Sequence, residues 1–127
     1  MESKRQKQVA EVVRRNFSIV LQNEGSYIYG VEPMVTVTSV KVSPDMSVAK
    51  IYVSIYNVED KQSVVMLMEQ SNQRLRQGLA HRVKRHMRRV PAISFYMDET
   101  LDEMYRLNEL FNNLDGDKKQ EEGETDA

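Results

Sequence analysis

The residues best suited to chemistry in this sequence form a run of cations that no acid interrupts. The segment from Arg74 to Arg89 reads RLRQGLAHRVKRHMRR and holds seven arginines and lysines together with two histidines. A merely solvated helix face usually mixes charge signs, since each i,i+4 ion pair is worth ~0.2–0.5 kcal/mol, whereas Arg82, Arg85 and Arg89 repel one another. Guanidinium groups bind phosphate oxygens in a bidentate manner. The run therefore indicates an anionic partner, and nucleic acid is the first choice.

A second, smaller basic cluster lies at the amino terminus. We expect both clusters to contact backbone phosphates, with histidine as a further hydrogen-bond donor. The predicted nucleic-acid-binding residues, which the family resemblance described below assigns to RNA, are Arg74, Arg76, His81, Arg82, Lys84, Arg85, Arg88, Arg89, Lys4, Arg5 and Lys7. An adaptor that docks an acidic protein partner with the same cations stays open as an alternative. A membrane surface is disfavoured, because the apolar positions of the segment are needed against a sheet and include no Trp.

The sequence offers little support for catalysis or metal binding. Cysteine is absent, which excludes disulfides, Cys-ligated zinc, iron–sulfur clusters and thiol catalysis. His81 and His86 are five residues apart rather than four and have no acid nearby, so we predict no metal site. Asp45 and Asp98 lie at strand ends, where aspartate is an ordinary turn or cap residue. We predict no catalytic residue, no cofactor and no enzyme activity; a hydrolase of RNA ends would rest only on scattered carboxylates and two histidines.

The elements that must position the cations begin with a helix and a hairpin. Ser3 can cap a helix whose apolar spacing predicts an extent of about 4–22, followed by a connection up to Gly30. The β-branched run after Pro33 predicts a strand, and the shift of its alternation between Val37 and Val40 indicates a bulge. A turn at 43–45 and a second alternating run over 50–56 complete an antiparallel hairpin.

A helical period follows the hairpin. Apolar residues recur from Val64 to Met87, which predicts one long helix or two, with a kink between Ser71 and Gly78. Asn72 is a polar residue on this stripe. Pro91 ends the helical pattern, and alternation then predicts a third strand over 93–97 and a last helix over 100–114.

The order α-β-β-α(kinked)-β-α with a three-stranded sheet packed against helices defines an α+β fold. The chain of 127 residues is long enough for a single domain, which we assign to residues 1–114. Residues 115–127 hold six acids and two lysines without an apolar period, so we expect a disordered acidic tail. Neither a membrane-spanning apolar run nor a secretory signal is seen, so we expect an unexported, cytoplasmic protein.

Two segments resemble a known family. Residues 40–54 read VKVSPDMSVAKIYVS, similar to a hairpin pattern V-x-V-S-x-D followed by A-K-[VI]-Y-V-S. Residues 88–101 read RRVPAISFYMDETL and resemble R-x-[VI]-P-x-[LI]-x-F-x-x-D-x-[ST]-[LI]. Leu75, Arg76 and Leu79 match the helix between them, and the first helix has a similar basic start. The pattern is that of the bacterial ribosome-binding factor A family.

The resemblance implies a type II KH-like fold in which a kinked helix with an A-x-G element replaces the usual GxxG loop. This sequence has Ser71-Asn72-Gln73 at that position. The resemblance also implies a non-catalytic factor that binds the 30S ribosomal subunit and 16S rRNA. Such a factor assists late maturation, including processing of the 5′ end of 16S rRNA, and is associated with growth in the cold. We expect a monomer when the protein is free.

Overall fold

Three helices and three strands follow one another along residues 2–98, the part of the chain that this computed structural model describes. The elements are α1 (Lys4–Tyr29), β1 (Met34–Val42), β2 (Val48–Tyr56), α2 (Lys61–Gln70), α3 (Asn72–Val83) and β3 (Ala92–Met97). The predicted α+β class and the order of these elements are confirmed. The predicted helix over 100–114 and the acidic tail over 115–127 lie outside the described residues. None of the described helices is both long and apolar enough to cross a membrane.

Helix α1 begins as predicted but is longer. Ser3 and Gln6 form a reciprocal capping box, in which the Gln6 N–H donates to Ser3 Oγ (3.1 Å) and the Ser3 N–H donates to Gln6 Oε1 (2.7 Å). The predicted end near residue 22 is wrong, because Gly25 is a helical residue rather than a turn residue. It is buried beneath the phenol of Tyr29, which a Cβ at residue 25 would overlap. Gly30 ends the helix instead, with a φ of 87°.

The sheet has the order β1-β2-β3, with β1 and β2 antiparallel and β2 and β3 parallel. Its register shifts between Val37 and Ser39, which confirms the predicted bulge. The β1–β2 turn depends on Asp45, whose Oδ1 accepts hydrogen bonds from the Ser43 hydroxyl (2.7 Å) and from the Ser47 hydroxyl (2.7 Å) and N–H (3.1 Å). These bonds, that of Ser43 first, lower the pKa of Asp45 to about 2. Asp45 is therefore the turn residue that the sequence indicated.

The predicted kink is confirmed at Ser71, which separates α2 from α3. Asn72, the polar residue on the apolar stripe, donates from Nδ2 to the carbonyl of Ile93 in β3 (2.8 Å). Beside it, Glu69 Oε1 accepts a hydrogen bond from the Phe95 N–H (2.8 Å). The junction of the two helices is thus attached to the backbone of β3, which gives the polar residue at position 72 a structural purpose.

Helix α3 ends earlier than the apolar stripe predicts. It stops at Val83, after which Lys84 to Arg89 form turns and a loop, although Met87 still packs against the core. Continuous helix up to Pro91 is wrong, because a proline disfavours helical backbone in the residue before it and a run of cations without acids repels itself. Four of the seven cations of the predicted basic helix, Lys84, Arg85, Arg88 and Arg89, therefore lie in a basic loop.

A single core fills the space between the helices and one face of the sheet. Phe17 of α1 and Phe95 of β3 lie in contact at its centre, with ring centroids 5.5 Å apart. Gly78 allows α3 to approach α1, because a Cβ there would lie 3.2 Å from Val20 Cγ1. The core fixes the ends of α1 and α3, and thereby the two basic segments, relative to one another.

Candidate nucleic-acid interface

Every predicted RNA-binding side chain is exposed to solvent. The structure divides these cations by whether an acceptor within the protein already holds them. Arg74 pairs with Glu24 of α1 through Nη2 (2.6 Å) and Nε (2.8 Å), and its guanidinium lies 5.6 Å from the centre of the Tyr27 ring. Arg74 therefore ties α3 to α1, and its charge is already compensated.

Arg76 is also used within the fold. Its Nη2 donates to the carbonyl of Val90 (2.9 Å) and its Nε donates to the carbonyl of Pro91 (3.2 Å). These two bonds attach the basic loop, residues 84–91, to the side of α3. Arg76 is thus a positioning residue for the cations of the loop.

Five cations have no such partner. Within residues 2–98, neither an ion pair nor a hydrogen bond engages the side chains of Arg82, Lys84, Arg85, Arg88 and Arg89. Arg82 and His81 lie in the last turn of α3, where a positive charge gains ~0.3–1 kcal/mol from the helix dipole. For these two the helix end offers a structural role, whereas the four cations that follow have neither a helix end nor an acceptor among residues 2–98.

The amino-terminal cluster opposes the helix dipole. Lys4, Arg5 and Lys7 lie at the start of α1, whose first turn contains no acid. Cations at this end of a helix are unfavourable by an amount comparable to the ~0.3–1 kcal/mol that anions gain there. Among residues 2–98 no acid pairs with these three cations, and a cluster that costs stability without such a pair is typical of a surface that binds an external anion.

The structure brings the two basic segments together at one groove. The groove has a volume of about 550 Å³ and lies between the first half of α1, the β1–β2 turn and the basic loop. Its polar rim is formed by Arg5, His86, Arg88 and Arg89, and its apolar floor by Val9, Val12, Met46 and Met87. We call this feature the basic groove. Among the remaining predicted residues, Lys4, Lys7, Arg82, Lys84 and Arg85 do not line it.

One acid lies at the basic groove. Asp45 lines it together with the arginines, and the hydrogen bonds that lower the pKa of its carboxyl to about 2 favour the ionised form. All the hydrogen bonds from the turn go to its Oδ1, which leaves Oδ2 for a donor outside the turn. Three guanidinium groups against one carboxylate leave the groove attractive to phosphate, while the carboxylate can accept a hydrogen bond from a hydroxyl or an amino group.

The sequence did not indicate the apolar floor. Val9 and Val12 are only partly buried and lie beside the core stripe of α1, and Met46 has a φ of 61° in the turn. The spacing of Arg5, Val9 and Val12 at three and four residues was an available signal, since it places them on one helix face. Within the described residues, no three His, Cys, Asp or Glu side chains come together as a group that could hold a metal ion.

Known proteins resemble this chain over most of its length. The family model described as ribosome-binding factor A matches residues 5–111. A ribosome-binding factor A of Cytophaga hutchinsonii is 31% identical over 122 residues, which cover 96% of this chain and 91% of the relative. One of Alteromonas mediterranea is 34% identical over 111 residues, covering 86% of this chain and 82% of the relative.

Solved structures with the same fold carry the same name. The crystal structure of ribosome-binding factor A from Thermus thermophilus superposes with a TM-score of 0.59 at 24% identity, covering 72% of this chain and 94% of that one. A homology model of the Thermus thermophilus factor, fitted into a cryo-electron-microscopy map of its 30S complex, gives a TM-score of 0.56 at 25% identity, with 77% and 96% covered.

Proposed function

This chain belongs to the ribosome-binding factor A family, and from that premise we propose that it binds the 30S ribosomal subunit through 16S rRNA. The Thermus thermophilus relative fitted into a 30S complex supports the choice of partner. In this proposal the protein assists late maturation, including processing of the 5′ end of 16S rRNA, by holding RNA rather than by cutting it. Such a role belongs in the cytoplasm and gains importance in the cold, where misfolded RNA rearranges slowly.

The basic groove is the single observation that carries the proposal. It joins Arg5 to Arg88 and Arg89, which are far apart in the sequence, and none of the three has an internal acceptor among the described residues. Guanidinium groups in such an arrangement can bind phosphates on both sides of an RNA backbone. Asp45 Oδ2 can accept a hydrogen bond from a ribose 2′-hydroxyl, the group that distinguishes RNA from DNA.

We assign different roles to the predicted residues. In this proposal Arg5, Arg88 and Arg89 bind phosphates in the basic groove, and Arg82, Lys84 and Arg85 extend the contact along the end of α3. Lys4, Lys7 and His81 add charge or hydrogen bonds at the periphery, whereas Arg74 and Arg76 hold the surface in shape. Specificity then comes from the shape of folded rRNA, since the major groove of A-form RNA hides its bases from side chains.

Cosedimentation with purified small subunits tests the proposal. We compare wild type with Arg88→Glu/Arg89→Glu and Arg82→Glu/Arg85→Glu on mature and precursor subunits over a series of salt concentrations. A hydrogen bond to a charged group is worth ~1.5–3 kcal/mol, so we expect the groove variant to bind at least ~10-fold more weakly. Losing two phosphate contacts should also lower the salt slope by ~1.4–1.8.

The matched control is Arg14→Glu/Arg15→Glu, which makes the same change of charge on α1 at residues that contact Glu11 and do not line the basic groove. Binding by this control should stay within a few-fold of wild type. Equal losses in the control and the groove variants would show that only net charge matters and would remove the groove from the mechanism. Association that survives nuclease treatment of the subunits would instead favour an acidic protein partner.

A further inference from the structure

The sheet face that points away from the core carries a pair of adjacent tyrosines. Tyr52 of β2 and Tyr96 of β3 are partners in the parallel register, and their ring centroids lie 5.6 Å apart with the planes inclined by 31°. Tyr96 is 43% exposed and Tyr52 is half-buried. The two rings therefore form an aromatic surface that is accessible from solvent.

Two lysines accompany the tyrosines. Lys41 Nζ lies 5.7 Å from the centre of the Tyr52 ring, and Lys50 Nζ lies 5.8 Å from that of Tyr96. Both lysines are exposed, and they occupy directly opposite positions on β1 and β2. Like charges in opposite positions destabilise a strand pair, so stability alone does not explain them. We call these four residues the Tyr–Lys face.

The surface is also concave beside the tyrosines. A depression of about 430 Å³ is bounded by Lys41, Lys50 and Tyr52, with Pro44 and Val48 from the hairpin end, and Glu2 at its rim. This volume falls in the range of small-ligand sites, ~300–1,000 Å³. It is therefore adequate for a nucleobase that leaves its stack and lies against Tyr52.

We propose that the Tyr–Lys face binds an unpaired strand of RNA, with bases stacked on Tyr52 and Tyr96 and phosphates bound by Lys41 and Lys50. Stacking of a base on an aromatic ring outweighs an exposed cation–π contact, so a base can replace the ammonium above each ring and free it for a phosphate. The inference rests on the proposed function, because it takes ribosomal RNA as the source of the strand. It adds a surface that selects unpaired RNA, beside a basic groove that binds folded RNA.

Binding of two RNA probes to the full chain tests this inference. The probes are a short oligoadenylate and an RNA duplex of the same length, and the variants are Tyr52→Leu/Tyr96→Leu, Tyr52→Phe/Tyr96→Phe and, as control, Tyr27→Leu. Tyr27 is an exposed tyrosine on α1, remote from the sheet face in sequence, and in the part of the chain that the structure describes its ring contacts Arg74 and no second ring. We expect the leucine pair to weaken oligoadenylate binding at least ~10-fold and the phenylalanine pair to retain it, since stacking needs only the ring.

Duplex binding and the Tyr27→Leu control separate a loss of base stacking from a general loss of RNA affinity. Duplex affinity of the leucine pair should stay within about twofold of wild type, because phosphate contacts of the basic groove do not use the tyrosines. Unchanged oligoadenylate binding in the leucine pair, an equal loss with Tyr27→Leu, or an equal loss for the duplex would each overturn the inference.

A measurement on the wild-type protein avoids any effect of the variants on folding. Base stacking should shift the ring-proton NMR signals of Tyr52 and Tyr96 upfield on addition of oligoadenylate, and those of Tyr27 should not move. Arg88→Glu/Arg89→Glu should keep these shifts while losing the subunit. If these shifts are absent at saturation, base stacking on the Tyr–Lys face is contradicted and the proposed function is not. If subunit binding survives in the groove variants, the proposed function is contradicted and base stacking is not.

Discussion

Arg74 and Arg76 stand two residues apart in one basic run, yet neither is available to an external anion in the way that Arg88 is. Every cation of the run is exposed, as is usual for charged side chains. Sequence composition could not predict which of them are held, because the acceptor of Arg74 is Glu24, 50 residues away in the chain, and those of Arg76 are backbone carbonyls. The chemistry of a surface arginine is thus decided by its tertiary neighbours rather than by its own segment.

Asp45 gives a prediction that depends on pH. Its folded-state pKa of about 2 is below the ordinary value of 3.8, so the stabilisation from its ionised form is complete above pH 3.8 and is lost as the pH falls towards 2. Urea unfolding of wild type and Asp45→Asn should therefore differ at neutral pH and converge between pH 4 and pH 2. Comparing the two proteins removes the parallel contribution of Glu11, whose pKa is also about 2 because it accepts hydrogen bonds from Arg14 and then Arg15.

Ser47→Ala provides the control for this assignment, because it removes one of the three donors to Asp45 Oδ1, the Ser47 hydroxyl, and keeps the Ser47 N–H without changing a charge. The side-chain donor alone is lost in this variant, so part of the pH-dependent difference should disappear. A difference between wild type and Asp45→Asn that persists at pH 2 would contradict the ionised carboxylate as its cause.

At the scale of elements, the apolar periodicity predicted which side chains face the core better than it predicted where the helical backbone ends. The stripe from Val64 to Met87 correctly marks residues that face the core, and the kink falls at Ser71 inside the predicted interval. The stripe failed to show that the helix stops at Val83, because Met87 reaches the same core from a loop. Likewise Gly25 is a familiar turn residue, and only the ring of Tyr29 above it shows why α1 continues.

The attachment of the basic loop to α3 leads to a prediction for Arg76→Leu. Leucine is compatible with the helix, but the variant loses the hydrogen bonds from Arg76 to the Val90 and Pro91 carbonyls. This loss should lower the free energy of unfolding by about 1 kcal/mol at this exposed site. We expect faster amide hydrogen exchange over residues 84–91 and several-fold weaker binding to the small subunit. Arg74→Leu is the matched control, since it removes an equal charge and the Glu24 pair but leaves the loop attached. Equal exchange rates in the two variants would rule out Arg76 as the positioning residue.

At the scale of the whole molecule, the fold brings two basic segments that are far apart in the sequence to one groove. The acidic residues at the carboxyl-terminal end are separate from both basic segments in the sequence. The order of the elements along the chain, the hairpin bulge and the class of fold were all predictable from local patterns. The meeting of Arg5 with Arg88 was not, because it depends on how α1 and the β1–β2 turn pack beside the loop. The Tyr–Lys face was equally hidden, since Tyr52 and Tyr96 come together only through the parallel pairing of β2 and β3.

Charge segregation along the chain leads to a prediction for removal of residues 115–127, which hold six acids and two lysines. If these residues compete with RNA for the cations, their deletion should raise nonspecific RNA affinity at low salt, and the gain should vanish at high salt as charges are screened. Fluorescence anisotropy with an RNA of random sequence measures this affinity at each salt concentration. A segment of equal length with the acids changed to Asn and Gln is the control, and it should behave like the deletion. If neither change alters affinity, the acidic residues serve only solubility.

The hydrogen bonds from Glu69 and Asn72 to β3 have a consequence beyond holding the helices in place. An outer strand with free backbone groups is a template on which another chain can pair, and proteins commonly block such templates to avoid aggregation. Here the Phe95 N–H and the Ile93 carbonyl are occupied by side chains from the helix junction. The junction thus occupies two of the backbone groups that β3 would otherwise offer to a strand of another chain.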